Sequence, residues 1–415
     1  MSEWREIRLR RTFERPTGGT WGSDAGEAHR DVVCIRGTDF DMAKLRVDES
    51  RLPVRSITTV DWKTRRLRPG DIVVEKSGGG EQQPVGRAVL FDLDCAAVPT
   101  NFAARLRPGV DYEPRFLTYL LSSCYANGTT RSAIKQTTGI QNLDLDAFLS
   151  ERVLVPAGER AQRALADYLD AETARIDALI EKKRRMIELL EERLRAMVMD
   201  QLFGADARWL RIGRTVDLLP GFAFSSELFS SDAAGGVRLL RGINVAPSQT
   251  RWDESVYIDA SLAQDVQRFA LAVGDLVIGM DRPVVGGGMR VAEISEADVP
   301  SLLVQRVARL RVNELAERDW IRLALMSPAF VAYFSPIVTG VSVPHISPEQ
   351  IASFKLPLPE REKQRSILRR LLRVERVKNE LSNAAGAQIA LLREHRQALI
   401  TAAVTGQLDV AKAAA

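Results

Sequence analysis

The sequence predicts an α+β protein that is built twice: two strand-rich globular parts, each followed by one long helix, with a pseudo-two-fold internal repeat. Three observations predict this fold class. The two halves of the chain share an ordered series of landmarks, which indicates a repeat. Short apolar runs separated by Gly, Pro and Asp indicate strands. Apolar residues at seven-residue spacing indicate two helices that pair as an antiparallel coiled coil.

The repeat is clearest at the end of each half. Segment 162–204 aligns with segment 364–406 without a gap, at a constant offset of 202 residues. Upstream, the landmarks keep their order with small changes of offset, as insertions in surface loops would produce. These upstream pairs are Arg36-Gly37 with Arg241-Gly242, Gly70-Asp71 with Gly274-Asp275, and Thr138-Gly139 with Thr339-Gly340. The chain therefore consists of two copies of one unit.

The globular parts, roughly 10–155 and 209–355, contain repeated turn and strand signals. Segment Arg68–Asp71 predicts a turn, because Pro69 presets φ and Gly70 accepts a positive φ. The apolar run Ile72–Val74 that follows it predicts a strand. Gly274-Asp275, followed by Leu276–Ile278, repeats this arrangement. A short helix is expected near Pro114–Cys124 and again near Trp320–Phe330. The predicted segments are 1–157 (globular), 158–204 (helix), 205–358 (globular), 359–406 (helix) and 407–415 (tail).

Each long helix has start and stop signals. Pro156 and Pro359 stand just before the helices, and Gly204 and Gly406 stand just after them. A helix of about 40 residues spans roughly 60 Å and needs a partner to cover its apolar stripe. Two separate helices, each packed on its own globular part, are the alternative. The residues expected to pair the helices are Leu169, Ile176, Leu179, Leu190, Leu371, Leu381, Leu392 and Leu399.

Composition and motifs favour a binding protein over an enzyme. The net charge of +4 and pI near 9.0 permit nucleic-acid binding without requiring it. The sequence has no phosphate-binding loop, hydrolase elbow, zinc-protease motif or paired Cys/His ligand set, so we expect no catalytic residues and no metal site. The charged N-terminus, three scattered cysteines and lack of a long apolar run favour a cytoplasmic protein without a membrane segment.

Several short segments together resemble the specificity subunits of type I restriction–modification systems, over essentially the whole chain. The entry to each helix is similar to that family's Leu-Pro-x-Pro…Gln pattern. Further along, the second helix departs from the family, because it has Lys378–Ser382 in place of an Ile-Asp-x-Leu-Ile equivalent. The similar segments are Val153–Pro156 before Gln162, Leu356–Pro359 before Gln364, Leu169-Asp170 with Ile176–Ile180, Leu391–Ile400, Val404–Val410, Lys76–Gly79 and Gly221–Phe224.

This resemblance implies a function. Each globular part would be a target-recognition domain that reads one half of a bipartite, asymmetric sequence in double-stranded DNA. The paired helices would act as a spacer, and two methyltransferase subunits would dock on them. Two restriction/translocase subunits would join for cleavage. The resemblance also implies a non-catalytic chain that binds no cofactor itself, with S-adenosylmethionine on the methyltransferase partners and ATP/Mg on the translocase partners.

Candidate DNA-contacting residues are polar or basic and lie in glycine-rich loops of the two globular parts. Phosphates are contacted mainly by Lys, Arg, Ser and Thr, whereas base edges are read by Arg, Lys, Asn and Gln. Each candidate could also be an ordinary solvated loop residue. The set comprises Lys76, Ser77, Arg87, Lys135, Gln136, Thr138 and Asn142 in the first copy, and Asn244, Arg282, Arg290, Thr339, Ser342 and His345 in the second.

Two other classes of function remain open from the sequence. One is a coiled-coil scaffold without intrinsic DNA specificity, which would bind no duplex even together with partner subunits. The other is a diverged DNA methyltransferase, which would bind S-adenosylmethionine or transfer a methyl group by itself.

Overall fold

The computed structural model describes residues 4–137, 139–285, 288–335 and 344–408. The chain divides into two compact units: unit 1 is Met1–Arg184 with Gly386–Ala415, and unit 2 is Arg185–Ala385. Each unit holds one strand-rich part and a portion of both long helices. These units therefore differ from the five predicted segments, whose boundaries stay a prediction.

Unit 1 contains a strand-rich part, the first portion of one long helix and the last portion of the other. Its helices are α1 (Thr59–Arg65), α2 (Pro114–Ala126), α3 (Leu145–Phe148) and α4 (Glu159–Val198), of which α4 continues into unit 2. Its strands are β1 (Trp4–Arg8), β2 (Thr17–Gly18), β3 (Arg30–Ile35), β4 (Phe40–Asp41), β5 (Arg46–Val47), β6 (Val54–Ile57), β7 (Asp71–Glu75), β8 (Ser77–Gly78), β9 (Ala88–Phe91), β10 (Ala97–Pro99), β11 (Ala103–Leu106), β12 (Ile134–Thr137), β13 (Ile140–Leu143) and β14 (Arg152–Pro156).

Unit 2 repeats this plan. After α4, the chain makes a π-helical turn at Met199–Phe203. Its helices are α5 (Ala260–Asp265), α6 (Arg318–Leu325), α7 (Pro328–Phe334), α8 (Pro348–Ser353) and α9 (Arg361–Val404), of which α9 continues into unit 1. Its strands are β15 (Trp209–Arg211), β16 (Val216–Pro220), β17 (Gly236–Leu240), β18 (Val245–Ala246), β19 (Gln249–Thr250), β20 (Tyr257–Asp259), β21 (Leu276–Gly279), β22 (Val284–Val285), β23 (Gly288–Met289), β24 (Val291–Glu293), β25 (Ser301–Leu303), β26 (Val307–Val312) and β27 (Lys355–Pro357).

The central strands of the sheets correspond between the two units. The antiparallel order β11-β7-β9 in unit 1 matches β26-β21-β24 in unit 2. The order β10-β3-β6 matches β25-β17-β20, and in both sheets the first pair is parallel and the second antiparallel. The pair β1-β14 matches β15-β27. The mixed helix and strand fold and the internal repeat predicted from the sequence are therefore confirmed.

The central strands of both units follow the turn that the sequence predicts. Gly70 and Gly274 have φ values of +96° and +89°, which other residues adopt only with strain. The strands that follow, β7 and β21, are buried along their whole length because both of their faces are covered. The predicted short helices also form, as α2 in unit 1 and as α6 with α7 in unit 2.

The long helices pair within each unit. In unit 1, Leu169 lies in the same buried core as Ile400, near the other end of the sequence. Lys183 donates a hydrogen bond to Gln388, and the Asp177 carboxylate lies 3.3 Å from the Arg396 guanidinium. The partners in α9 descend in number as those in α4 ascend, so the helices run antiparallel. The alternative of two helices without mutual contact is wrong for the described residues.

In unit 2, the end of α4 packs on the start of α9. Val198 and Leu202 belong to the same buried cluster as Leu368 and Leu371. This cluster also contains the buried side chains of α6 and α7, so the globular part of unit 2 covers the outer side of the helix pair. The helix seam is thus continuous with the core of the globular part.

The apolar seam differs from the predicted one at two positions. Leu169, Ile176 and Leu371 are buried as expected, and Leu190, Leu392 and Leu399 are half-buried. Leu179 and Leu381, however, are 40% and 43% exposed. Their seven-residue spacing places them on an apolar row, but that spacing does not determine which side of the row a partner covers. These two residues therefore do not belong to the closely packed seam.

Candidate nucleic-acid interface

A buried glutamine fixes the same junction in each unit. Gln162 in α4 accepts a hydrogen bond from the Glu113 main-chain N–H at 3.0 Å, and Gln364 in α9 accepts one from the Glu317 main-chain N–H at 2.8 Å. Their amide nitrogens donate to main-chain carbonyls, including that of Pro156 at 3.3 Å in unit 1 and that of Pro359 at 2.7 Å in unit 2. Because both side chains are buried, these bonds tie the start of each long helix to the short helix of its globular part.

A pair between a buried aspartate and an arginine is also duplicated. Asp71, at the start of β7, accepts two hydrogen bonds of 2.7 Å from Arg107. Asp275, just before β21, accepts bonds of 2.7 and 2.8 Å from Arg311. Both aspartates are 2% exposed. The bidentate geometry holds the central strand to its neighbouring segment in each unit. The same buried bonds therefore fix the position of the central strand in both units.

In unit 1, most candidate contacts lie on or beside the sheet formed by β8, β12 and β13. The Ser77 hydroxyl donates to the Asn142 side-chain oxygen at 2.6 Å. Lys135 is exposed and lies 2.6 Å from the Asp144 carboxylate, which raises the pKa of Lys135 and lowers that of Asp144. Gln136 is exposed beside Lys135. Directly opposed residues of neighbouring strands share a face, so Ser77, Lys135 and Asn142 lie on one face of this sheet and Gln136 lies on the other.

Two other unit 1 candidates are less available. Arg87 makes hydrogen bonds of 2.9 and 2.8 Å with both carboxylate oxygens of Glu75, and this pairing raises the pKa of Arg87. Its guanidinium also donates to the Gly37 carbonyl at 3.2 Å. A base contact by Arg87 would require breaking this pair, so we assign Arg87 a structural role. Lys76, directly before β8, is half-buried.

Unit 2 contains a basic groove of about 980 Å³ at the equivalent end of its globular part. Among the described residues that line it are five arginines and one acidic residue, Asp281. Arg282 and Arg306 are exposed and adopt φ values of +42° and +68°. Such left-handed backbone costs roughly 1–3 kcal/mol in a residue with a side chain and is concentrated at functional sites. The arginines are Arg241, Arg251, Arg282, Arg290 and Arg306.

An ion-pair cluster lies at the wall of this groove. The Asp281 carboxylate binds the His345 Nδ1 atom at 2.6 Å through one oxygen and the Arg306 guanidinium at 2.9 Å through the other. The backbones of Asp281 and His345 form an antiparallel bridge. The Arg282 main-chain N–H donates to the Pro344 carbonyl at 2.7 Å. Two candidates from distant parts of the sequence, Arg282 and His345, are thus brought together.

The remaining described candidates of unit 2 are bonded to the protein interior. Asn244 is 1% exposed, accepts from the Arg241 main-chain N–H at 3.0 Å and donates to the Arg251 carbonyl at 2.9 Å. Both ends of its amide are therefore used, and we remove it from the set of proposed contacts. Arg290 donates to the carbonyls of Val245 and Asp281, each at 2.9 Å, and burial lowers the pKa of Arg290. The Arg290 side chain therefore joins two main-chain segments that line the groove.

Three candidates, Thr138, Thr339 and Ser342, lie outside the described residues. Sequence reasoning also missed Asp281, Arg306, Arg241 and Arg251. A signal for Asp281 was present, because it follows Gly274 by seven residues, as Ser77 follows Gly70. No comparable signal identified the arginines, since an arginine in a polar loop looks the same whether or not a groove lies beside it.

The described ranges contain neither a cluster of metal ligands nor a membrane-spanning helix. Within residues 4–137, 139–285, 288–335 and 344–408, no group of three or more His, Cys, Asp or Glu is placed to hold a metal ion. In the same ranges, no helix combines the length and the apolar character needed to cross a membrane.

Sequence comparison identifies the family. Residues 264–391 match the family described as type I restriction modification DNA specificity domain. The second half of the chain therefore contains a segment similar to a type I restriction modification DNA specificity domain. It is 36% identical over 161 residues to the EcoAI specificity subunit of Escherichia coli. It is 25% identical over 257 residues to the MjaVIII specificity subunit of Methanocaldococcus jannaschii and 29% over 230 residues to the EcoBI specificity subunit of Escherichia coli.

These alignments cover parts of the chain and of its relatives. They include 38% of this chain and 27% of the EcoAI subunit, 57% and 58% for the MjaVIII subunit, and 53% and 43% for the EcoBI subunit. The chain is thus aligned over less than two thirds of each relative's length. The relatives are specificity subunits of type I restriction enzymes, by their names.

Two solved structures share the fold over nearly the whole chain. A chain from a study of complex assembly and conformational transition of the type I restriction–modification system superposes with a TM-score of 0.71 at 19% identity, covering 98% of both chains. The HsdS subunit from Thermoanaerobacter tengcongensis superposes with a TM-score of 0.51 at 18% identity, covering 98% of this chain and 97% of that one. At these identities the likeness concerns the fold alone.

Proposed function

We propose that this specificity subunit is non-catalytic and reads a bipartite, asymmetric target in double-stranded DNA. The strand-rich part of unit 1 reads one half of the target, and that of unit 2 reads the other. The observation that carries this proposal is the combination of matched frameworks with unlike surfaces. The buried glutamines and arginine–aspartate pairs repeat between the units, whereas the residues at the exposed ends of the sheets do not.

The groove of unit 2 has the chemistry that duplex DNA requires. Its exposed arginines Arg251, Arg282 and Arg306 supply positive charge, and arginine binds phosphate oxygens with two parallel hydrogen bonds. In unit 1, the exposed Lys135 and Gln136 lie on β12, beside the strand that carries Asn142. Phosphate contacts of this kind set the position of the protein, while neighbouring polar side chains read base edges.

The long helices are proposed to separate the two reading surfaces and to bind two methyltransferase subunits. Apolar side chains that remain exposed on α4 and α9 support this role, because exposed apolar surface on a paired helix is a common contact for another protein. Two restriction/translocase subunits join the complex for cleavage. S-adenosylmethionine and ATP with Mg²⁺ belong to those partners. The exposed apolar residues are Leu179, Met186 and Leu189 on α4, and Val377, Leu381 and Leu391 on α9.

Methylation mapping tests the assignment of one half-site to each unit. The chain is produced with its methyltransferase partners, and modified bases are located by sequencing. Replacing Lys135 and Gln136 together by Ala is expected to relax recognition in one half only. Replacing Arg282 and Arg306 together is expected to affect the other half. A lost specific base contact costs about 1–3 kcal/mol, which corresponds to roughly 5–150-fold in discrimination.

Exposed basic residues outside these surfaces provide matched controls. Lys44 in unit 1 and Arg268 in unit 2 are exposed and do not belong to the sheet surface or the groove described above. Lys44→Ala and Arg268→Ala should leave the methylated sequence unchanged. The proposal fails if the paired variants of both units relax the same base positions. Methyl transfer by the isolated chain would contradict its non-catalytic assignment.

The spacer role has its own test. Inserting seven helix-forming residues into α4 after Lys183, together with seven into α9 before Gln388, keeps the seven-residue apolar rows in register. The insertion adds about 10 Å of helix at ~1.5 Å per residue. Since duplex DNA rises ~3.4 Å per base pair, the gap between half-sites should grow by about three base pairs. An unchanged gap with retained methylation would show that the helices do not set the spacing.

A further inference from the structure

One residue pair occupies the same position in both units but differs in chemistry. Ser77 lies opposite Asn142 where β8 pairs with β13 in unit 1. Asp281 lies opposite His345 in the corresponding bridge of unit 2. In each unit the two side chains are joined by a 2.6 Å hydrogen bond. The unit 1 pair consists of a hydroxyl and an amide, whereas the unit 2 pair consists of a carboxylate and an imidazole.

The surroundings of the unit 2 pair are strongly basic. The second Asp281 oxygen lies 2.9 Å from the Arg306 guanidinium, and Arg290 donates to the Asp281 carbonyl at 2.9 Å. Arg282 is the next residue along the chain and holds Pro344, which precedes His345. The other charged groups of the groove are Arg241 and Arg251. Asp281 is therefore the acidic residue among the described lining of this groove, and its carboxylate contacts Arg306 and His345.

The Asp281 carboxylate determines which imidazole nitrogen is available to a ligand. It accepts a hydrogen bond from Nδ1, so Nε2 is the atom left to face a ligand. His345 is 47% exposed, and its Nε2 has no partner among the described residues. Nε2 accepts a hydrogen bond when the ring is neutral and donates one when it is protonated.

We propose that Asp281 and His345 determine base specificity in the second half-site, with protonated His345 donating from Nε2 to a guanine acceptor in the major groove. This inference rests on the proposed function. The phosphate backbone is the same in both half-sites, so a phosphate contact has no reason to differ between the units. A base contact must differ if the two halves have different sequences. The equivalent pair in unit 1 also consists of residue types that read bases.

The expected consequence is a pH dependence confined to one half of the target. The assay measures the affinity of the complex of this chain with its methyltransferase subunits by fluorescence anisotropy, from pH 5.5 to 8.5 at constant ionic strength. The probes are the target duplex that methylation mapping identifies and duplexes in which each of its base pairs is substituted in turn. Affinity should fall as the pH rises, by up to about tenfold per pH unit because one proton is linked to binding. Replacing one guanine of the second half should abolish this dependence.

Exchanging the pairs between units provides a stringent test. Asp281→Ser with His345→Asn gives unit 2 the neutral pair of unit 1 and should remove the pH dependence. Ser77→Asp with Asn142→His gives unit 1 the ionisable pair and should create a pH dependence at the first half-site. His345→Gln keeps a hydrogen-bond donor without a titrating group, so it should bind with an affinity that does not change with pH. Unchanged thermal unfolding identifies variants that fold correctly.

Three results overturn the inference. The first is a pH dependence that survives in folded His345→Gln. The second is a pH dependence of equal size for every duplex, because this indicates a phosphate contact. The third is that giving unit 1 the Asp and His pair creates no pH dependence at the first half-site. In each case half-site recognition still stands if the alanine variants of each unit relax different halves. Absence of sequence preference at every pH would overturn the proposed function as well.

Discussion

Removing either buried glutamine should destabilise one unit and leave the other unchanged. Gln162 makes hydrogen bonds of 3.0, 3.3 and 3.4 Å to the main chain of unit 1. Gln364 makes bonds of 2.8, 3.2 and 2.7 Å in unit 2. Their substitution by Ala removes three bonds worth about 0.5–1.5 kcal/mol each. It also leaves the main-chain N–H of Glu113 or Glu317 without a protein partner.

The expected loss is therefore about 2–4 kcal/mol in each unit, with water entering the vacated space and recovering part of the cost. Hydrogen exchange measured by mass spectrometry suits this prediction because it reports on each unit separately. Gln162→Ala should speed exchange in unit 1, by roughly 30- to 1,000-fold for amides that exchange through unfolding of that unit. Gln364→Ala should do so in unit 2.

Gln82→Ala is the control, because Gln82 is exposed and surface substitutions usually change stability by less than about 0.5 kcal/mol. Losses below that size for both buried glutamines would refute the view that these side chains hold helix and globular part together. Equal losses in both units from a single substitution would refute their independence.

The remaining predictions concern buried polar groups and thiols. Thiol labelling at pH 8 should modify exposed Cys95 first, because burial raises the pKa of Cys34 to about 11 and that of Cys124 to about 12. Asp71→Ala should lower unit 1 stability in denaturant titrations by about 3–5 kcal/mol, because it leaves a half-buried arginine unpaired. Burial raises the pKa of Asp298, but four hydrogen bonds outweigh it and lower that pKa below its usual value. The ionised carboxylate therefore stabilises the folded protein, and this stabilisation is lost as the pH falls below about 4. Asp298→Asn should flatten that acid dependence in thermal melts.

Local sequence signals predicted the framework because they depend on few residues. The turn before β7 needs only a glycine that accepts a positive φ, and Gly70 supplies it; Gly274 does the same before β21. The long helices begin and end within six residues of the predicted positions because proline and glycine act locally. The antiparallel pairing follows from the length of the apolar stripes, which one helix alone cannot bury.

The candidate contacts were harder to predict because their role depends on tertiary partners. Arg87 and Asn244 are polar residues in glycine-rich segments, as DNA contacts are expected to be. In the fold, however, Glu75 neutralises Arg87, and main-chain groups saturate Asn244. The pairing of Asp281 with His345 joins residues 64 positions apart, and no local pattern indicates such a pair. Helix periodicity likewise could not show that Leu179 would remain exposed.

The distribution of likeness and difference between the units supports a reader of two different half-sites. A duplicated chain that served only as a scaffold would have no reason to change its surface ends while keeping its buried bonds. Here the buried bonds are kept, as Gln162 and Gln364 show. At the exposed ends, Ser77 is replaced by an aspartate that binds histidine and arginine. Two copies of one fold can read an asymmetric DNA sequence only if their reading surfaces differ while their buried bonds stay the same, and these two units differ in that way.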